Sequence, residues 1–226
     1  MNSERLNKRL VKLGLADSRR KADELIKLGK VMVNGSVCNE MGYMASQEDK
    51  ISVEGKEGKL RDAIYIAYNK PKGLVCSHAR QSAQTIFDKL PKSFASLKIA
   101  GRLDKDSQGL MILSSDGEFI NQISHPRQQK DKTYIVTTKQ DISSGDIEKI
   151  NKGIRLEDGT SNMNSKKINA NQIRIIMSEG KNRQIRRTLA VLEKDVIKLE
   201  RIKIGKYSNP SLSEGKHIFI KPEEVL

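Results

Sequence analysis

"ERLNKRLVKLGLADSRRKADELIKLGKVMVNG", residues Glu4 to Gly35, is the stretch on which the first half of the fold reading turns. Leu6, Leu10 and Leu13 recur at helical spacing, with Arg5, Lys8, Arg9 and Lys12 around them, and Ser3 offers an N-cap. That helix should stop near Gly14. A second should start at the capping hydroxyl of Ser18, carry Ala22, Leu25, Ile26 and Leu28 as its apolar stripe, and end at Gly29, a left-handed stop. Val31 and Val33 then lead into Asn34-Gly35, a two-residue hairpin signal, with Val37 on the return strand. The outline is helix, helix, hairpin. Arg19, Arg20 and Lys21 fall on the first turn of the second helix, where the dipole disfavours cations until an anion arrives. The placement points to ligand duty.

Outward from this unit, "VEGKEGKLRD" (Val53 to Asp62) is Gly-rich, charged and nearly without apolar residues, which reads as a boundary between a domain over 1–58 and another over 63–226. Beyond it, "AIYIAYN" (63–69), "GLMILSS" (109–115), "TYIVTT" (133–138), "QIRIIMS" (172–178) and "HIFIKP" (217–222) read as strands. "TIFDKL", "GEFINQIS", "SGDIEKINKG" and "NRQIRRTLAVLE" read as helices between or after them. The expected class is α+β, a mixed sheet with helices packed on it.

Charge limits the partners. The formal net charge is +14 and the pI about 9.7; such a field favours a polyanion, nucleic acid first and an anionic membrane second. Residues 1–58 carry eleven Lys/Arg against nine Asp/Glu, and residues 59–226 carry 31 against 19, so the excess sits in the larger part. Apolar runs such as "LMIL" are far shorter than the roughly 20 residues of a spanning helix, and the start "MNSERLNKRLVKLG" has no small-residue cleavage site, so neither a membrane nor export is expected. Cys38 and Cys76 have no metal-ligand spacing, which suits a reducing cytoplasm, and no metal or cofactor is expected. His78, His125 and His217 are scattered and support no hydrolytic triad.

Four stretches concentrate chemistry: "NKPKG" (69–73), "GRLDKDSQGL" (101–110), "KTYIV" (132–136) and "EGKNRQIRR" (179–187). Asp104 and Asp106 sit in a basic chain and have three readings. They are surface partners of Arg102 or Lys105, part of a magnesium site, or one of them is a catalytic carboxylate held among arginines. Two acids two residues apart supply only part of a coordination sphere. Lys181, Arg183, Arg186 and Arg187 crowd a helix start, Arg183 and Arg187 on one face, and such crowding calls for anions.

In this order the four stretches resemble the pseudouridine synthases of bacterial ribosomal RNA, in the branch with an amino-terminal S4-type RNA-binding domain. The resemblance covers almost the whole chain, and "GRLDKDSQGL", "NRQIRR" and "LEDG" (156–159) are similar to members acting on large-subunit RNA. It implies an S4-type domain followed by the mixed, largely antiparallel sheet of the pseudouridine synthase fold. It also implies cofactor-free isomerisation of a flipped-out uridine in ribosomal RNA, 23S ahead of 16S, by a monomer acting on free RNA or an assembly intermediate. Asp104 would be the catalytic aspartate, Tyr134 the ring that stacks on the base, and Arg186 the cation paired with Asp104; Asp106 is given no catalytic part. Arg5, Arg19, Arg20, Lys21, Lys70, Lys72, Arg102, Lys181, Arg183 and Arg187 are the expected phosphate contacts. Thr188 departs from the apolar residue common after the two arginines, and Ser107 replaces the more usual Thr. The alternative class is a non-catalytic S4-type RNA-binding or ribosome-assembly factor.

Overall fold

A computed structural model describes residues 3–78 and 83–226 and divides the chain into two compact units, Met1–Ala63 and Ile64–Leu226. In the first, β1 (Glu4–Arg5) leads into α1 (Leu6–Lys12), followed by α2 (Arg19–Lys27), β2 (Val31–Val33), β3 (Ser36–Val37), β4 (Met44–Ala45), β5 (Ile51–Val53) and β6 (Lys56–Glu57). Ser18 caps α2 as its sequence position indicated, its side chain accepting from the Lys21 amide at 3.2 Å. Asn34 and Gly35 take positive φ (51° and 83°), as a tight hairpin between β2 and β3 requires. Leu6, Leu10, Ala22, Ile26, Val31 and Ile51 form the core.

Two local readings are corrected here. Ser3 does not cap α1: Arg5 takes the N-cap position without a side-chain bond, because Glu4–Arg5 pairs as a strand with Met44–Ala45. The stretch read as a boundary from Val53 also begins with structure. Glu54 and Gly55, at φ 49° and 79°, turn β5 back into β6, completing a sheet of order β3-β2-β5-β6. A two-residue return arm has no apolar alternation to reveal it.

The larger unit is built on one eight-stranded sheet. Its elements are β7 (Tyr65–Lys70), β8 (Lys98–Ile99), β9 (Gln108–Ser114), α3 (Gly117–Ser124), β10 (Lys132–Thr138), α4 (Ser144–Lys152), β11 (Ile154–Leu156), β12 (Gly159–Ser161), β13 (Asn164–Asn169), β14 (Gln172–Met177), α5 (Gln184–Val191), β15 (Val196–Ile204) and β16 (His217–Phe219). The order is β13-β14-β10-β15-β9-β7-β16, with β8 added on β9. All its pairings are antiparallel except β15 with β9. The α+β class is as expected.

Alternation sorts the side chains onto two faces. Ile66, Tyr68, Met111, Leu113, Tyr134, Val136 and Leu199 pack with Ile150 of α4 and Ile185 and Leu189 of α5, while Ala67, Leu110 and Ile112 pack with Phe119, Ile120 and Ile123 of α3. "TIFDKL" forms only a short 3-10 turn, Ile86–Asp88, closed by Asp88 onto the Thr85 amide at 2.8 Å; Pro91 follows and restricts its predecessor. The central strand β15 has no counterpart in the sequence reading, because Lys198, Glu200 and Lys203 interrupt its apolar pattern.

Candidate active site

The connection from β8 to β9 is the loop carrying Asp104, and its backbone is held from beneath. Lys70, at the end of β7, is fully buried; its Nζ donates to the carbonyls of Ser107 at 2.7 Å, Asp104 at 3.1 Å and Pro71 at 3.1 Å. Burial lowers its pKa, since the charged form gives up water for three carbonyls. The expected phosphate contact at Lys70 is therefore corrected, because no RNA reaches an ammonium enclosed by the loop. The Gly73 amide adds a bond of 2.7 Å to the Lys105 carbonyl, and the Ser107 amide returns to the Asp104 carbonyl at 3.1 Å.

Lys70→Met keeps the volume of the side chain and strips a donor from three carbonyls, a loss of about 1–3 kcal/mol for each left unsatisfied, partly offset by no longer burying a charge. We expect urea denaturation to show a loss of about 2–4 kcal/mol, with activity reduced and RNA affinity retained. Unchanged stability with weakened RNA binding would return Lys70 to the surface role.

A cleft of about 410 Å³ opens above this loop, within the range of roughly 300–1,000 Å³ usual for ligand sites. Asp104 and Tyr134 both line it, with Arg102, Lys105, Lys181 and Arg183; among the described residues Asp104 is its only acid. Tyr134 is 8% exposed, rooted in the core by β10. Cys76, Met177, Ile185 and Leu199 supply apolar wall. The sequence reading placed none of these four at the site, because each comes from a different segment. Cys76 is no nucleophile candidate: burial pushes its thiol up, away from the thiolate.

The arginines are arranged differently from expectation. Arg186 was expected opposite Asp104; instead its Nη2 donates to the Asp106 carbonyl at 2.9 Å and its Nη1 to that of Val196 at 3.1 Å. Its Nε lies 3.2 Å from Asp106 Oδ2, an ion-pair distance without hydrogen-bond alignment. Arg183 makes a two-pronged pair with Asp106, both bonds 3.0 Å, and its Nη1 stands 3.9 Å from Asp104 Oδ2. Arg183 takes a left-handed backbone (φ 47°) at the N-cap position, and α5 starts after it at Gln184. Burial alone would raise the Asp106 carboxyl, but Arg183 and Arg186 outweigh it and hold it below the usual range. With both Asp106 oxygens engaged by guanidinium groups, Asp104 and Asp106 do not converge on a shared magnesium ion.

The remaining expected contacts divide by what else they touch. Arg187 makes a two-pronged pair with Asp158 of the β11–β12 turn, both bonds 2.9 Å, and Lys181 Nζ donates to the Thr160 carbonyl at 3.0 Å. Thr188 is buried and donates to Ser161 Oγ at 2.8 Å, so a hydroxyl here ties α5 to the same hairpin. Lys72 and Arg102 are exposed in the larger unit. Arg5, Arg19, Arg20 and Lys21 are exposed in the smaller, Lys21 paired with Glu24 at 2.8 Å. Among the described residues no helix is long and apolar enough to cross a membrane.

Residues 64–191, which include every residue lining this cleft except Leu199, match the family model for RNA pseudouridylate synthase. The chain belongs to that family. An S4 domain model matches residues 4–51 of this pseudouridine synthase. It is 35% identical to "Ribosomal large subunit pseudouridine synthase B" of Bacillus subtilis over 98% of this chain and 94% of the relative. It is 31% identical to "Ribosomal small subunit pseudouridine synthase A" of Vibrio cholerae over 93% and 94%. A solved pseudouridylate synthase superposes with a TM-score of 0.71 at 30% identity, covering 98% of this chain and 97% of its own. The enzyme is thus a pseudouridine synthase whose cleft is lined, among the described residues, by one carboxylate and one aromatic ring.

Proposed function

We propose that this synthase isomerises a uridine of ribosomal RNA, in the large subunit, with Asp104 as the reacting carboxylate and Tyr134 as the surface on which the base stacks. The carrying observation is that Asp104 is the one acid among the described residues lining a cleft that also holds Tyr134 and four cations. Isomerisation breaks the bond from C1′ to N1, turns the uracil, joins C5 to C1′, releases the C5 proton and places a proton on N1. No electron is gained or lost. A carboxylate beside the sugar serves as a nucleophile at C1′ or as a base toward a ribose proton. Arg102, Lys105, Lys181 and Arg183 at the rim suit the phosphates around a flipped nucleotide. The revised role for Arg186 is to hold the Asp106 end of the loop, with Arg183 the cation nearer Asp104.

Large-subunit RNA is favoured because the Bacillus relative, whose name specifies that subunit, is similar over nearly all of both chains. Pseudouridines mapped in 23S and 16S RNA from cells with and without the gene test this. We expect one 23S site to vanish. Loss confined to 16S RNA would reassign the substrate, and unchanged maps in both would overturn the ribosomal reading.

A further inference from the structure

We propose that Arg201 is a positioning residue that closes the Asp104 loop at both ends and ties it to the Tyr134 strand. Its side chain, on β15, is 1% exposed. Its Nε donates to the Leu110 carbonyl at 2.7 Å and its Nη2 to the Gly101 carbonyl at 3.2 Å. These are the last and first residues of "GRLDKDSQGL", so one guanidinium bridges the two feet of the loop that carries Asp104.

Three features set Arg201 apart from an ordinary core residue. A buried guanidinium is normally neutralised, yet among the described residues no carboxylate pairs with it, and the neighbouring Glu200 bonds Lys198 at 2.6 Å. The strand itself is drawn close: Gly109 faces Arg201 in the one parallel pairing of the sheet, and a Cβ there would lie 2.3 Å from the Arg201 carbonyl oxygen. On its other side Arg201 is the register partner of Tyr134, at a one-residue irregularity in the β10–β15 pairing. One residue thus meets the strand of the stacking ring through its backbone and the loop of the carboxylate through its side chain. A planar fork presents Nε and Nη2 in fixed directions to two separate carbonyls, a two-point geometry that a single ammonium nitrogen does not reproduce.

The inference rests on Asp104 and Tyr134 being the reacting pair. Its test uses the full chain carrying Arg201→Gln, Arg201→Lys or Asp104→Asn, with transcribed 23S RNA labelled at uridine C5. Single-turnover tritium release, RNA affinity and thermal melting are measured for each. We expect Arg201→Gln to bind RNA like the parent and to release tritium about thirtyfold or more slowly, since a misplacement near 1 Å can lower a rate by about a hundredfold. Arg201→Lys should fall between the two. Should the Gln variant not fold, Arg201→Lys decides, read by its turnover against its affinity and by faster amide hydrogen exchange confined to residues 101–110.

A folded Arg201→Gln turning over within threefold of the parent, or an Arg201→Lys matching the parent when only it folds, overturns the inference. An inactive Asp104→Asn alongside leaves the catalytic reading standing; an active one fails that reading instead.

Discussion

Asp104→Asn is expected to leave a folded protein that binds RNA with nearly parental affinity and makes no detectable pseudouridine. The substitution keeps the size of the side chain and removes the charge. An amide is neither a base toward a ribose proton nor a competent nucleophile at C1′, so a fall of at least about a thousandfold is expected. Affinity should hold because Asp104 is an acid among cations, and removing it leaves phosphate binding intact or slightly stronger. The loop should survive too, since the bonds from Lys70 Nζ and the Ser107 amide to the Asp104 carbonyl do not involve the carboxylate. Tritium release from C5-labelled RNA with a parallel filter-binding titration measures both quantities. Turnover within tenfold of the parent would remove Asp104 from the chemistry.

The second large effect belongs to Tyr134. Stacking of a flipped base on an aromatic ring is worth about 1–3 kcal/mol, so Tyr134→Ala should slow single turnover by about 5- to 150-fold through this contact alone. Tyr134 is also a buried member of the main core, and its loss opens a cavity that weakens the fold by several kcal/mol, ~3–5 for a large aromatic. Two further substitutions separate these effects. Tyr134→Phe retains the ring and should stay near parental activity, whereas Tyr134→Leu fills most of the volume without a π face and should stay folded but slow. Equal rates for the Phe and Leu proteins, each checked by thermal melting, would show that Tyr134 packs and does not stack.

Where local chemistry controlled the outcome, the chain could be read directly. Ser18 caps its helix because a hydroxyl three residues before an orphan amide can satisfy it, and Asn34-Gly35 turns because both residues tolerate positive φ. Asp104 and Tyr134 were singled out by the resemblance of their motifs to the family, and they share a cleft. Lys70 misled for the opposite reason. In "NKPKG" a lysine after a strand looks like surface, and nothing nearby in sequence shows that residues 104 and 107 supply the carbonyls enclosing it. Arg183 and Arg186 are likewise separated from Asp106 by more than seventy residues, so composition marked them as cations without naming their partner.

What the sequence by itself determined about this enzyme is its family, its α+β class, the helix–helix–hairpin start and the charge that favours a polyanion, all consequences of short-range preferences, motif order and summed charge. Only the tertiary structure decided which cations face outward and which are spent inside, that Arg186 meets Asp106, and that β15 runs through the middle of the sheet with Arg201 under the loop. The physical reason is that a buried charge is defined by the groups that replace its water. Those groups come from strands far apart in sequence, brought together only when the sheet closes.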